Sequence, residues 1–200
     1  MKTGRLEAFS DGVIAVAITL LVLDLRVPAP GPHHPRLAGA LGQQWPSYVA
    51  YVVSFATIGI IWINHHAVIL RLREADWTIL VVNLVLLMTI AILPFATSLM
   101  ATYLTQSQGE HLAAAVYAGA LLIMSLAFAA FNWQVLMRRP HLLHDHLAPT
   151  RRREILRRTV SGLVPYAAAV AIAPLSPYAT LGICAVVAAY YASPASRPEA

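Results

Sequence analysis

Six apolar segments alternate with short polar stretches along the chain. The first runs from about Leu6 to Leu25, with an uninterrupted apolar core from Gly12 to Leu23. A Pro/Gly/His-rich stretch, Val27 to Pro35, breaks any helix. The second segment runs from about Trp45 to Leu70 and the third from about Trp77 to Tyr103. After the polar turn Thr105-Gln106-Ser107-Gln108-Gly109, the fourth runs from about Leu112 to Met137. A basic, His-rich loop covers Arg138 to Arg153, and the last two segments run from about Ile155 to Leu175 and Tyr178 to Tyr191. A helix needs about 20 residues to cross the hydrocarbon core. Segments two to five meet that length; the first carries Asp11 near its start, and the sixth is short. The pattern predicts an all-α fold, a polytopic membrane protein with six transmembrane helices, as a single unit over residues 1–200. Kinks are expected at Pro94, Pro165 and Pro174.

Composition agrees with the pattern. Apolar residues make up 58% of the chain, charged residues only 12%, and mean hydropathy is +0.65; a soluble domain carries about 25% charged residues. One cysteine, Cys184, excludes an intrachain disulfide. The start, with Lys2, Arg5 and a later Ala29-Pro30-Gly31, superficially follows a signal peptide. Glu7 and Asp11 in the basic region and a charged Asp24-Leu25-Arg26 before the small residues argue for keeping it in the mature protein.

The net charge of +5 raises nucleic acid as a partner until the charges are placed. With the N-terminus inside and six alternating spans, the inner side receives Lys2, Arg5, Arg71, Arg73, Arg138, Arg139, Arg151, Arg152, Arg153, Arg157, Arg158 and Arg197. The outer side receives only Arg26 and Arg36 of the 14 basic residues. This positive-inside pattern predicts an N-in/C-in chain in the cell (inner or plasma) membrane and sets nucleic acid aside. Trp45, Trp77, Tyr103, Tyr178, Tyr190 and Tyr191 sit near segment ends, where aromatic belts belong. No internal repeat is visible, which disfavours a carrier built from inverted repeats.

Chemistry concentrates in the first helix. A carboxylate inside a membrane helix is expensive and normally faces a partner in the bundle. At 100° per residue, Val16, Leu20 and Leu23 share one face, with Thr19 beside it. Asp11 lies about 140° from Val16 and Ser10 about 120° away on the other side. One side of the helix is thus suited to polar contacts with neighbours, and the other carries an apolar stripe with a hydroxyl. Periodicity alone reads that stripe as packing or lipid-facing surface.

The second helix supplies partners in Trp62-Ile63-Asn64-His65-His66. Trp62 and His66 share a face, and His65 lies one turn from Trp62. The two histidines point about 100° apart. They suit metal binding, proton relay or hydrogen bonding to Ser10 or Asp11, with no HExxH or cysteine pair to complete a metal site. Arg5 is placed to neutralise Asp11 near the inner interface.

The motif R-x-x-x-F-S-D at Arg5, Phe9, Ser10 and Asp11, followed by W-x-x-H-H at Trp62, His65 and His66, resembles the transmembrane protein 175 family. That family comprises the endolysosomal potassium channel and its bacterial relatives. The resemblance is specific in the first two helices and extends beyond them through helix count and topology. It implies a six-helix unit whose first helix lines a central pore, with a single-unit bacterial form assembling as a homotetramer. It places the pore constriction at Val16, further apolar layers at Leu20 and Leu23, and the pore hydroxyl at Thr19. It places a structural polar network at Arg5, Ser10, Asp11, Trp62 and His66, with His65 adjoining. The chain departs from the family in having Val16 where isoleucine or leucine is usual. Four copies of such a ring would exclude water and block ions by dewetting. Asp24 would form an outer ring of four carboxylates that concentrates cations; the plain alternative is a charge paired with Arg26.

The expected function is a potassium-permeable cation channel, with potassium ions, further copies of the chain and membrane lipids as partners and no cofactor or metal. Two alternatives come from other classes. One is a proton- or cation-coupled carrier using Asp11 and the histidines. The other is a membrane enzyme using Asp11 with His66, for which no nucleophile or catalytic motif is present. Thr180-Leu-Gly-Ile-Cys184 lacks the residues of a potassium filter and reads as helix packing at Gly182. His141, His144, Asp145 and His146 read as a solvated or pH-sensitive loop. Arg151 to Arg153, Arg157 and Arg158 suit anionic headgroups.

Overall fold

The computed structural model describes residues 3–28, 37–144 and 147–193. Lys2, Arg36 and Arg197 of the charge pattern, and Asp145 and His146 of the histidine loop, lie outside these residues, as does Ala29-Pro30-Gly31. The fold is all-α. Helices are α1 (Thr3–Leu20), α2 (Leu37–Gln43), α3 (Trp45–Ile69), α4 (Trp77–Ala91), α5 (Leu93–Tyr103), α6 (Glu110–Trp133), α7 (Pro149–Ser161), α8 (Leu163–Ile172) and α9 (Pro177–Ala192). A 3-10 turn, Leu21–Asp24, extends α1, and a π-turn, Gln134–Arg138, extends α6.

Five helical runs are long and apolar enough to cross a membrane: Thr3–Asp24, Trp45–Ile69, Trp77–Tyr103, Glu110–Arg138 and Pro149–Ile172. The chain is therefore a multi-pass membrane protein. The expected sixth span is α9, which at 16 residues is shorter than these. Helix boundaries fall at the prolines. α4 gives way to α5 just before Pro94, α8 closes ahead of Pro174, and Pro177 opens α9 behind a Ser176 cap whose Oγ accepts from the Ala179 amide at 3.2 Å. The break near Pro165 comes earlier, at Gly162, which keeps helical torsions and passes α7 into α8.

Two differences from the sequence reading have local causes. α2 stands where no helix was expected; its seven residues bury none of their side chains, so no amphipathic period announces it. The basic loop is also shorter than expected. Pro149 starts α7, so Arg151 to Arg153 are helical, and proline at the first position suits a helix start.

α6 is the central element. It packs against α4, α5, α7, α8 and α9, and 56% of its most apolar stretch is buried, against 11% for α7–α8 at the rim. Hydroxyls bridge helices inside this core: Ser54 lies 2.8 Å from Thr97 and 3.0 Å from Tyr117. Where lipid offers no hydrophobic drive between helices, such bonds and close packing hold them together. At one end, an antiparallel bridge between Leu72 and Leu143 ties the α3–α4 connection to the segment after α6. The Arg73 amide donates to Leu142 O and the His144 amide to Arg71 O, each at 2.8 Å. His141 and His144 remain exposed on that segment.

Candidate functional site

α1 lies on α3, α4 and α5, and its burial divides it lengthwise. Leu6, Ser10, Ile14, Ala17 and Leu21 face the bundle, each at most 3% exposed. Their spacing of three and four residues is one helical stripe. The opposite side carries Gly12, Ala15, Val16, Thr19, Leu20 and Leu23, all exposed. Val16 is 58% exposed, Leu20 43% and Leu23 70%. Leu23 belongs to the 3-10 turn, where each residue advances about 120°, yet it stays on the open side. Thr19 Oγ1 donates to Val16 O at 2.9 Å, which satisfies its proton within the helix and leaves oxygen lone pairs facing outward.

The buried side is anchored by a chain of hydrogen bonds that joins α1, α4 and α3. Ser10 Oγ donates to Leu6 O at 2.8 Å and accepts from Asn83 Nδ2 at 3.0 Å. Asn83 Oδ1 in turn lies 2.8 Å from His65 Nε2, whose ring packs on Phe131 at 5.1 Å between centroids. Asn83 Oδ1 is an acceptor, so His65 carries its proton on Nε2 in this contact. Ser10, Asn83 and His65 are each at most 1% exposed.

A second, more open cluster lies beside it, built on the neighbouring residues Asp11 and His66. Trp62 Nε1 donates to Asp11 Oδ1 at 2.8 Å, and its ring stacks on His66 at 5.9 Å. His66 Nδ1 lies 3.3 Å from Glu7 Oε1, an ion pair whenever the imidazole is protonated. Glu7, Asp11 and His66 bring ligand-type atoms within 4.8 Å of one another, the one such trio among the described residues. These donors suit a divalent cation, and the same atoms already engage Trp62 and each other.

Of the residues singled out from sequence, the structure brings Ser10 together with His65 through Asn83, and Asp11 with Trp62 and His66. It does not bring Ser10 to His66. Arg5 is exposed and makes no ion pair with Asp11. Asn83 and Glu7 are the partners that the sequence reading left out. Asn83 had a signal: it is the one amide in the run from Trp77 to Tyr103, and a lone amide in a span demands a partner. Asp24 sits half-buried at the far end of α1. With Arg26, Gln44, Ser47, Ser98 and Thr102 it lines a cavity of about 270 Å³, and among the described residues it is not ion-paired with Arg26.

Similarity to known proteins covers this region and extends past it. The family described as endosomal/lysosomal potassium channel TMEM175 matches residues 5–94, which include Arg5, Ser10, Asp11, Trp62, His65, His66 and Asn83. A potassium channel of Streptomyces collinus is 44% identical over 191 residues, 95% of this chain and 91% of that protein. The crystal structure of a lysosomal potassium-selective channel TMEM175 homolog from Chamaesiphon minutus superposes with a TM-score of 0.82 at 36% identity, over 95% of this chain and 96% of that one. The human endosomal/lysosomal proton channel TMEM175 is 31% identical over 176 residues, 84% of this chain and 35% of that protein.

Proposed function

The chain belongs to the TMEM175 family, and from that premise we propose that it is a potassium channel whose pore is lined by α1. The family is one of channels rather than enzymes, which removes the membrane-enzyme alternative. Relatives named as potassium channels along nearly the whole chain support the ion.

The observation that carries the pore assignment is the division of α1. Leu6, Ser10, Ile14, Ala17 and Leu21 are packed into the bundle, while Val16, Leu20 and Leu23 face away from it. One chain offers one such stripe, so several copies must surround a path; a homotetramer with four first helices is the assembly we propose. Rings of Val16, Leu20 and Leu23 then form a narrow apolar passage that closes by losing its water. Thr19 oxygens line the same passage and contact permeating cations. Asp24 supplies a carboxylate ring at the outer mouth, with the chain N-in/C-in in the cell membrane. The Ser10–Asn83–His65 chain and the Asp11–Trp62 bond set the position and rotation of α1, while Arg5 stays near the inner headgroups.

The test is potassium flux into liposomes holding the purified protein, beside Val16→Asn and Leu20→Asn. Polar side chains in a dewetted ring favour water and should raise flux several-fold. Unchanged flux in both variants, from a folded oligomer, rejects α1 as the pore lining. Matched human and other vertebrate relatives are named proton channels, so pH inside the liposomes is followed in the same experiment.

A further inference from the structure

The α7–α8 rod carries a feature that conduction does not use. Its basic residues divide into three groups. Arg151 and Arg158 hold Glu154, at 3.0 and 3.6 Å. Arg152 turns to the bundle and donates to Leu136 O at 3.3 Å. Arg153 and Arg157 are exposed, and neither has an ion-pair partner among the described residues. They stand one turn apart on the same face, where two guanidinium groups reach a single phosphate.

Below them the stripe becomes apolar. Val160 is 45% exposed, Val164 70% and Leu175 79%, with Ala168 and Ala171 exposed between. The steps from Arg153 through Arg157, Val160, Val164, Ala168 and Ala171 are three or four residues, so these lie on one side of the rod, and Leu175 follows in the turn beyond α8. Two unpaired cations followed by an open apolar track is the complement of a phosphate followed by an acyl chain. We propose that this stripe is a binding site for an anionic glycerophospholipid, with the phosphate held by Arg153 and Arg157 and an acyl chain lying along Val160 and Val164. The flanking arginines disfavour a zwitterionic headgroup, whose ammonium they repel. The site depends on α7–α8 standing in the membrane, and not on what passes through the pore.

The experiment measures thermal unfolding of the full-length protein in neutral detergent, with added phosphatidylglycerol, phosphatidylcholine or soluble glycerol 3-phosphate. Phosphatidylglycerol should raise the melting temperature saturably, and the other two should not. Arg153→Gln with Arg157→Gln should need about 30-fold more phosphatidylglycerol for the same shift, since each cation near an anionic lipid contributes about a five-fold factor. Arg153→Lys with Arg157→Lys should recover most of the response. Val160→Ser with Val164→Ser should weaken it while keeping its preference for the anionic lipid. An unchanged response in the double glutamine variant overturns the site. Equal stabilisation by phosphatidylcholine overturns its charge selectivity, and stabilisation by glycerol 3-phosphate shows a soluble phosphate site instead. Potassium flux in liposomes is read separately, so failure here leaves the channel proposal standing.

Discussion

Asn83 on α4 donates its amide to the Ser10 hydroxyl of α1 at 3.0 Å, in a contact with no access to water. The same amide group meets His65 of α3 through its oxygen at 2.8 Å. One side chain therefore completes the polar groups of two other helices. Asn83→Leu keeps the branched skeleton with bulkier methyl groups, leaves His65 Nε2 without its partner and leaves Ser10 with only its bond to Leu6 O. Such a loss costs about 1–2 kcal/mol, at the upper end for bonds inside a membrane bundle. Thermal unfolding in detergent should show a clear drop, and Ser10→Ala a smaller one. An unaltered melting temperature in Asn83→Leu would contradict the anchoring role.

Asp11 holds α1 to α3 by accepting a hydrogen bond from Trp62 Nε1 at 2.8 Å. Asp11→Ala and His66→Ala should weaken the assembled oligomer more than they change the potassium-to-sodium permeability ratio. Asp11→Asn retains an acceptor for the indole and should be milder. Gel filtration scores assembly and liposome flux scores permeability. A normal oligomer with altered ion preference goes against this assignment.

Thr19 presents oxygen to the open side of α1 while its proton is held by Val16 O. Thr19→Val keeps the shape and removes the oxygen. In the proposed pore, flux persists and the preference for potassium over sodium falls. Bi-ionic potentials measure this; an unchanged preference removes Thr19 from selectivity.

Asp76 caps α4 by accepting from the Ile79 amide at 2.9 Å, and Arg139 binds its other oxygen. Burial by itself would raise the carboxyl, but the Ile79 amide and Arg139 outweigh it and hold Asp76 below the ordinary carboxylate range. Its folded-state pKa lies below the unfolded one. The contribution is therefore complete above the unfolded value, near 4, and is lost as pH falls through the folded value. Asp76→Ala should cost about 1 kcal/mol at neutral pH. The gap between wild type and variant should narrow in acid, below about pH 4. A gap that stays constant down to pH 2.5 would show that ionisation of Asp76 is irrelevant.

Gly109 enters α6 with φ +88°, the one positive φ among the described residues. An added Cβ would come within 2.9 Å of the Tyr103 ring. Gly109→Ala should destabilise the protein by about 1–2 kcal/mol from backbone conformation alone, more if Tyr103 cannot shift. Tyr103→Ala in the same background should recover only the steric part.

Much of α1 was legible in the sequence because a helix fixes angles. Once Gly12 to Leu23 is helical, Ser10 and Asp11 must point away from Val16, whatever surrounds them. The long apolar runs likewise marked the helices that are long and apolar enough to cross a membrane, since a span must satisfy its backbone polar groups internally. What sequence did not decide was which partner meets which polar group. His65 and His66 are adjacent and chemically equal; their 100° separation sends one toward Asn83 and the other toward Glu7 only after α1, α3 and α4 have packed. Asn83 and Ser10 are separated by 73 positions, and nothing local couples them. Periodicity determined the faces of each helix, and the packing of three helices decided their partners, because a buried hydrogen bond needs its donor and acceptor within about 3 Å.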